Sequence, residues 1–313
     1  MAINTIHHIT RYDYDQPVKE SVNEIRIYPF ADARQEILHH EVNITGHPEI
    51  YLIKDYWGNK VGMFNLLPAH PSLVIESKLL VKIHPSGETT CNNVTLDELR
   101  SEIPGSFNLI ELSKSLEAGI NEPVNLIVQS FYRQEMPAVD IIEACGRFVY
   151  ENFTYIKGVT NVDTSVKEIL DHRSGVCQDF AHVMLEILRS IGIPCRYVSG
   201  YICPGKKGMR GEGATHAWVE AWLPRAGWIG YDPTNNSWVN DQHVRLAVGR
   251  NFIDCTPVKG SFRGTARQSL ATYVAVGYET GHVFEDPASV KMEISPTKEE
   301  TVIKKQAAAQ QQQ

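Results

Sequence analysis

The chain has 313 residues, 42% hydrophobic and 21% charged, and its 30 basic and 37 acidic side chains leave a net charge of −7. Such a length exceeds the roughly 100 to 200 residues of one domain, and the composition supports a sizeable core, which excludes a peptide-sized scaffold and a wholly disordered chain. An acidic balance without any Lys/Arg block excludes nucleic acid as the expected partner.

No apolar run approaches the about 20 residues of a membrane-spanning helix, because Asn125 and Arg189 interrupt the longest candidates. No membrane partner is expected. The N-terminal stretch alternates polar and apolar residues and lacks a basic start followed by an apolar segment, so a cytoplasmic location is expected. Cys91, Cys145, Cys177, Cys195, Cys203 and Cys255 are scattered along the chain and are expected to be free thiols.

In chain order, period-2 stretches at Ile3 to Tyr14, Val22 to Tyr28, Glu41 to Ile44 and Leu73 to Ile83 predict β structure of the sandwich type over residues 1–90. From Thr95 the period changes. Thr95 with Glu98 fits a capping box, Pro123 and Pro137 suit first helical positions, and Ile141, Ala144, Cys145 and Phe148 recur at helical spacing. Ser165 with Glu168 opens another helix, followed by a turn at residues 172–176. Cys177, Phe180, Ala181, Met184, Leu185 and Leu188 then mark a helix that Gly192 and Pro194 stop. Val183, Ile187 and Ile191 make its other side apolar, so it should be buried. Strands are predicted at Cys195 to Ile202, Thr215 to Leu223, Trp228 to Tyr231, Val244 to Val248 and Leu270 to Tyr278, which makes the fold class α+β. Residues 296–313 have too little apolar content to pack and should form a disordered tail.

Three positions carry chemistry. Cys177 stands at a helix start, where unsatisfied N–H groups and the helix dipole favour a thiolate and could also donate to an adjacent oxyanion. Asp179 in the same turn opposes that effect unless its carboxylate points away. His216 opens a strand, and an imidazole is the side chain suited to exchange a proton with a thiol near neutrality. Asp232 ends the next strand ahead of Pro233, from where its carboxylate could fix the imidazole tautomer. No metal-ligand or phosphate-loop spacing is present, and no cofactor is expected. Gly205-Lys206-Lys207-Gly208 and Gly211-Glu212-Gly213 read as a loop before His216 that could rim a cleft.

Gly175-Val176-Cys177, His216-Ala217-Trp218 and Trp228-Ile229-Gly230-Tyr231-Asp232-Pro233-Thr234 resemble the core of the transglutaminase-like superfamily, related to papain, in which a Cys-His-Asp triad occupies these motif positions. Residues 12–29 and 55–73 look like the N-terminal β region of the bacterial members, and residues 248–254 like a segment following their Asp, except that Asn251 stands where an acidic residue is usual. The resemblance implies an N-terminal β-sandwich-like domain followed, over residues 91–295, by a papain-like core of helices packed on an antiparallel sheet. It also implies acyl transfer through a thioester: Cys177 as nucleophile, His216 as general acid/base, Asp232 as orienter. The expected activity is a cysteine peptidase or amidase acting on a protein or peptide substrate. The alternatives are a protein-glutamine transamidase using an amine acceptor, and a non-catalytic binding module. The second oxyanion donor stays open among the Cys177 N–H, Gln178 and Tyr155.

Overall fold

A computed structural model describes residues 2–84, 93–115, 117, 119–162, 164–203, 209–210, 214–278 and 293–296. The chain opens with strands β1 (Ala2–Ile25), β2 (Gln35–Ile44), β3 (Tyr51–Lys54), β4 (Lys60–Leu66) and β5 (His70–Ile83). Helices α1 (Leu96–Glu102), α2 (Phe107–Leu112), α3 (Asn121–Phe131) and α4 (Ala138–Asn152) follow, then short β6 (Thr154–Tyr155), α5 (Val166–His172), β7 (Ser174–Gly175) and α6 (Cys177–Ile191). Strands β8 (Cys195–Ile202), β9 (Thr215–Leu223), β10 (Gly227–Asp232), β11 (Ser237–Trp238) and β12 (His243–Gly249) come next. The one-turn helix α7 (Phe252–Cys255) leads to β13 (Val258–Arg263), β14 (Gln268–Tyr278) and β15 (Glu293–Pro296).

The long strand β1 joins two layers. Residues 2–13 pair with β5 and residues 4–14 with β14, whereas residues 19–25 pair with β13 and residues 21–25 with β4, all antiparallel. The register shifts between Asp13 and Val18, a segment that contains Pro17, whose missing N–H is tolerated at such an irregularity. Ile25, Phe64 and Leu66 from one layer pack with Ile44, Leu73 and Ile75 from the other, which is the sandwich core expected from the period-2 pattern. Strands β13 and β14 belong to this sheet although they lie beyond residue 255, so its pairing draws on both ends of the chain. Of the disordered tail expected over residues 296–313, Pro296 instead ends β15 opposite Ser269, because strand pairing with β14 holds it, and the rest lies outside the described residues, as do Cys91 and the two Gly-Lys and Gly-Glu stretches before His216.

The second sheet is antiparallel with order β11-β10-β9-β8-β12. Helix α6 packs on it through Phe180, Met184, Leu188 and their neighbours, among helices α3, α4 and α5. Burying each such apolar side chain contributes roughly 1.5 to 3 kcal/mol, which is why the all-round apolar pattern selects a central position. Two charges accompany them inside. Arg189 pairs with Glu186 at 3.4 Å and donates to the carbonyls of Cys195 (3.0 Å) and Arg250 (2.6 Å), tying the end of α6 to the sheet. Gly192 closes the helix in the left-handed conformation (φ 89°) that glycine adopts without strain.

The two sheets are fastened at β12, the edge of the core sheet. The Gln35 carboxamide accepts from the Arg245 N–H and donates to its C=O, both at 2.8 Å, and Asn59 does the same for Val248 at 2.8 and 2.7 Å. Each amide mimics a neighbouring strand and satisfies an edge that would otherwise be open. Beside them the buried Glu220 carboxylate meets Arg196 at 2.6 Å and Arg245 at 3.2 Å, and Arg245 continues to Asp32 at 2.9 Å. A hydrophobic cluster of Ile6, Leu79 and Val81 against Tyr201, Val244 and Leu246 completes the junction.

Candidate active site

Local sequence explains where Cys177 sits. Strand β7 pairs in parallel with β6, Tyr155 opposite Gly175, and this short ladder delivers the chain to the first turn of α6. Asp179 folds back, accepting from the Val176 N–H at 2.7 Å and from the Thr160 hydroxyl at 2.6 Å. Its carboxylate is therefore committed to capping the helix start. Burial raises its pKa against the opposing effect of those two hydrogen bonds. The close approach also explains Gly175: a methyl group there would collide with the Asp179 carboxylate. The N–H groups of Cys177, Gln178 and Asp179 precede the first intrahelical hydrogen bond, from the Phe180 N–H to the Val176 carbonyl at 3.1 Å, so the half-buried Cys177 stands at the positive end of α6.

His216, 2% exposed, projects from β9, and Asp232, fully buried, ends β10. The His216 Nε2 donates to Asp232 Oδ2 at 2.9 Å, which fixes the tautomer because a carboxylate only accepts. The other ring nitrogen, Nδ1, is buried without a hydrogen bond among the described residues, and Cys177 lies close enough for its charge to act on the ring. Burial lowers the imidazole pKa, but the Asp232 charge, with Cys177 adding to it, outweighs burial and lifts it from 6.5 to about 10. Burial pushes the Asp232 pKa up, and the two imidazoles around it pull it down further, well below the usual carboxylate range. The structure thus joins His216 directly to Asp232, with Cys177 in the neighbourhood of the same imidazole.

Asp232 is held by more than His216. Its Oδ1 accepts from the backbone N–H of Thr234 (2.9 Å) and Asn235 (3.3 Å), an Asx turn encoded by the Asp-Pro-Thr-Asn run. Its Oδ2 also accepts from the Asn235 side chain at 2.7 Å and from His243 Nε2 at 3.4 Å. His243, on β12, is a residue that sequence reasoning missed, since one histidine among twelve carries no local signal. Trp218 packs against both rings, stacked on His216 with centroids 6.3 Å apart and edge-on to His243 at 5.2 Å. Tyr155 stands near enough for Cys177 and Asp232 to act on its hydroxyl. Burial first, then these charges, push its pKa up to about 12, so the phenol stays a neutral donor. Asn251 caps α7 by accepting from the Ile253 N–H at 3.0 Å and takes no part in the His216 cluster.

Among the described residues, no group of three or more His, Cys, Asp or Glu could hold a metal ion, and no helix is long and apolar enough to cross a membrane.

Residues 127–233 match the transglutaminase-like superfamily and residues 5–82 the bacterial transglutaminase-like N-terminal region. An uncharacterized protein of Mycobacterium leprae is 34% identical over 273 residues, which cover 86% of this chain and 96% of that one. A protein-glutamine gamma-glutamyltransferase of Pseudomonas aeruginosa is 39% identical over 95 residues, 28% of this chain and 14% of the relative. Among solved structures, a Cytophaga hutchinsonii protein provisionally described as a cysteine protease superposes with a TM-score of 0.71 at 19% identity, covering 95% of this chain and 98% of its own, a likeness of fold.

Proposed function

Because the chain belongs to the transglutaminase-like superfamily, we propose that it is a thiol-dependent acyl-transfer enzyme, foremost a cysteine peptidase or amidase acting on protein or peptide amides in the cytoplasm. The observation that carries this reading is the His216 ring, held by buried Asp232 on one nitrogen and near enough to Cys177 for the sulfur's charge to act on it. The Cys177 thiol passes its proton to His216, and its sulfur attacks the amide carbonyl and forms the S–C bond as the C=O π bond opens, with the negative oxygen received by N–H groups at the start of α6. The His216 imidazolium donates its proton to the departing amine as the C–N bond breaks, leaving a thioester on Cys177. Water, deprotonated by His216, then releases the acid and restores the thiol. Asp232 keeps the imidazolium stable and correctly oriented throughout.

A protein-glutamine transamidase is the second reading, favoured by the name of the Pseudomonas aeruginosa relative. It differs only in an amine replacing water in the second half. The test is incubation of wild type and Cys177→Ala with a glutamine-containing peptide library and a labelled primary amine, followed by mass spectrometry. Acid or shortened peptide identifies a hydrolase, and amine incorporation a transferase. Equal turnover by Cys177→Ala removes both readings.

A further inference from the structure

A cavity of about 610 Å³ lies where the N-terminal sheet meets the core, within the volume range of ligand sites. Its lining follows two different rhythms. Strand β1 contributes alternate residues 8 to 14 and, past its irregularity, Ser21 and Asn23, and β14 contributes alternate residues 268 to 272, so the cavity rests on one face of each. Strand β13 contributes the five consecutive residues 258–262. Ser21 and Asn23 of β1 line it beside Gly260, which has no side chain, and since the side chains of a strand alternate between faces, the run of five neighbours carries the lining from that face to the outer edge of β13.

That edge is open among the described residues, where β13 pairs with β1 alone. The Arg26 N–H donates to the Pro257 carbonyl at 2.8 Å, which turns the backbone groups of residue 257 toward β1. The antiparallel alternation then turns those of Lys259 and Ser261 inward and those of Val258, Gly260 and Phe262 outward, into the cavity. Gly260 opposite Asn23 agrees with this phase: the two approach so closely that a methyl on Gly260 would strike the Asn23 side chain, as in a non-hydrogen-bonded pair. Gln178 and Thr215, the chain neighbours of Cys177 and His216, line the same cavity. Lys259 is the single Lys, Arg, Asp or Glu in the lining, so the floor suits uncharged side chains.

We infer that the substrate binds as an extended polypeptide strand added to the outer edge of β13, with alternate side chains on the β1–β14 floor and its reactive amide carried to Cys177. This rests on the proposed function and names its substrate class: unfolded or extended protein segments, in preference to small carboxamides. Main-chain hydrogen bonds supply affinity in strand addition, and the alternate side chains supply selectivity.

The test uses Cys177→Ala protein, so that binding needs no chemistry, with reduced and carboxymethylated lysozyme as an unfolded probe presenting many sequences. Amide hydrogen exchange is read residue by residue by NMR. At saturating probe, about ten times Kd, exchange at Val258, Gly260 and Phe262 is expected to slow about tenfold, with Lys259 and Ser261, already bonded to β1, unchanged. Unaltered exchange at the three outward amides, or slowing of inward and outward amides alike, overturns the inference. A second variant, Val258→Pro, removes one outward N–H without taking a bond from β1. It is expected to weaken probe binding about tenfold, or 1.4 kcal/mol, and unchanged affinity in the folded variant overturns the inference. Failure of strand addition and failure of the chemistry are separable. Loss of protection beside an intact acyl-enzyme on small amides removes only strand addition. Protection without any acyl-enzyme in the wild type removes only the catalytic reading.

Discussion

Replacing Asp232 with Asn removes a charge while keeping the shape, and its consequence for His216 can be worked through. The imidazole rises from 6.5 to about 10 although burial alone lowers it, so the neighbouring groups supply more than the net shift of about 5 kcal/mol in favour of the imidazolium. Asp232 is the larger of the two contributors, ahead of Cys177. Its neutralisation should therefore remove more than half of that energy and drop the titration midpoint by about two pH units or more. The amide also cannot satisfy its surroundings. Both Asp232 oxygens accept hydrogen bonds, Oδ1 from two backbone N–H groups and Oδ2 from three side chains, so an Asn NH2 must face donors whichever way it turns. Imidazole 15N shifts followed from pH 5 to 11 in wild type and Asp232→Asn report the protonation of His216 directly. The expected result is a ring protonated through pH 9 in the wild type and at least half deprotonated by about pH 8 in the variant, with kcat reduced on the order of 10⁴-fold, as for the equivalent change in a serine triad. A variant whose His216 stays protonated above pH 9 would refute the electrostatic reasoning.

The same pair makes stability depend on pH. A histidine whose pKa is raised on folding stabilises fully below pH 6.5 and loses that contribution as pH rises through about 10, so urea denaturation should show wild type losing its advantage over Asp232→Asn across that window. A constant difference between the two proteins would contradict this. Glu220→Gln leaves Arg196 and Arg245 facing a neutral partner inside the protein and should cost about 3 to 5 kcal/mol in denaturant unfolding. Gly175→Ala forces the Asp179 carboxylate off the start of α6, with about 1 to 3 kcal/mol lost and kcat/KM lowered more than KM is changed. Among the described free cysteines, Cys145, Cys195, Cys203 and Cys255 are buried and Cys177 is not, so iodoacetamide on the folded protein should label Cys177 first, as peptide mapping would show.

Much of the scaffold that carries the candidate site was legible because its signals are local. The apolar periodicity after Cys177 and the Gly192 stop define α6, and the alternation of Thr215 to Leu223 gives β9 over the same residues as the structure. The capping box of Ser165 and Glu168 forms as its spacing requires. What escaped the sequence is long-range. Strand β1 runs unbroken from Ala2 to Ile25 because its two halves find different partners, and the Pro17 irregularity hides that continuity from a period-2 reading. Pairing of β13 and β14 with β1 spans more than 230 residues of sequence and leaves no local mark. Pro123 and Pro137 sit at the third helical position and at the N-cap, shifted from the first position because flanking residues, not the prolines, set the helix start. His243 reaches Asp232 only through the register of β12 against β8, and Asp179 reveals its direction only once Thr160 is beside it.

The most direct measurement is mass spectrometry of the intact protein and of its peptic peptides after rapid acid quench of the wild type and Cys177→Ala with an activated glutamine p-nitrophenyl ester. An adduct of the acyl mass is expected on the peptide containing Cys177, labile to hydroxylamine and absent from the variant, because a thioester forms on that sulfur before water or an amine removes it. Absence of any adduct in the wild type, or the same adduct in Cys177→Ala, would contradict acyl transfer through Cys177.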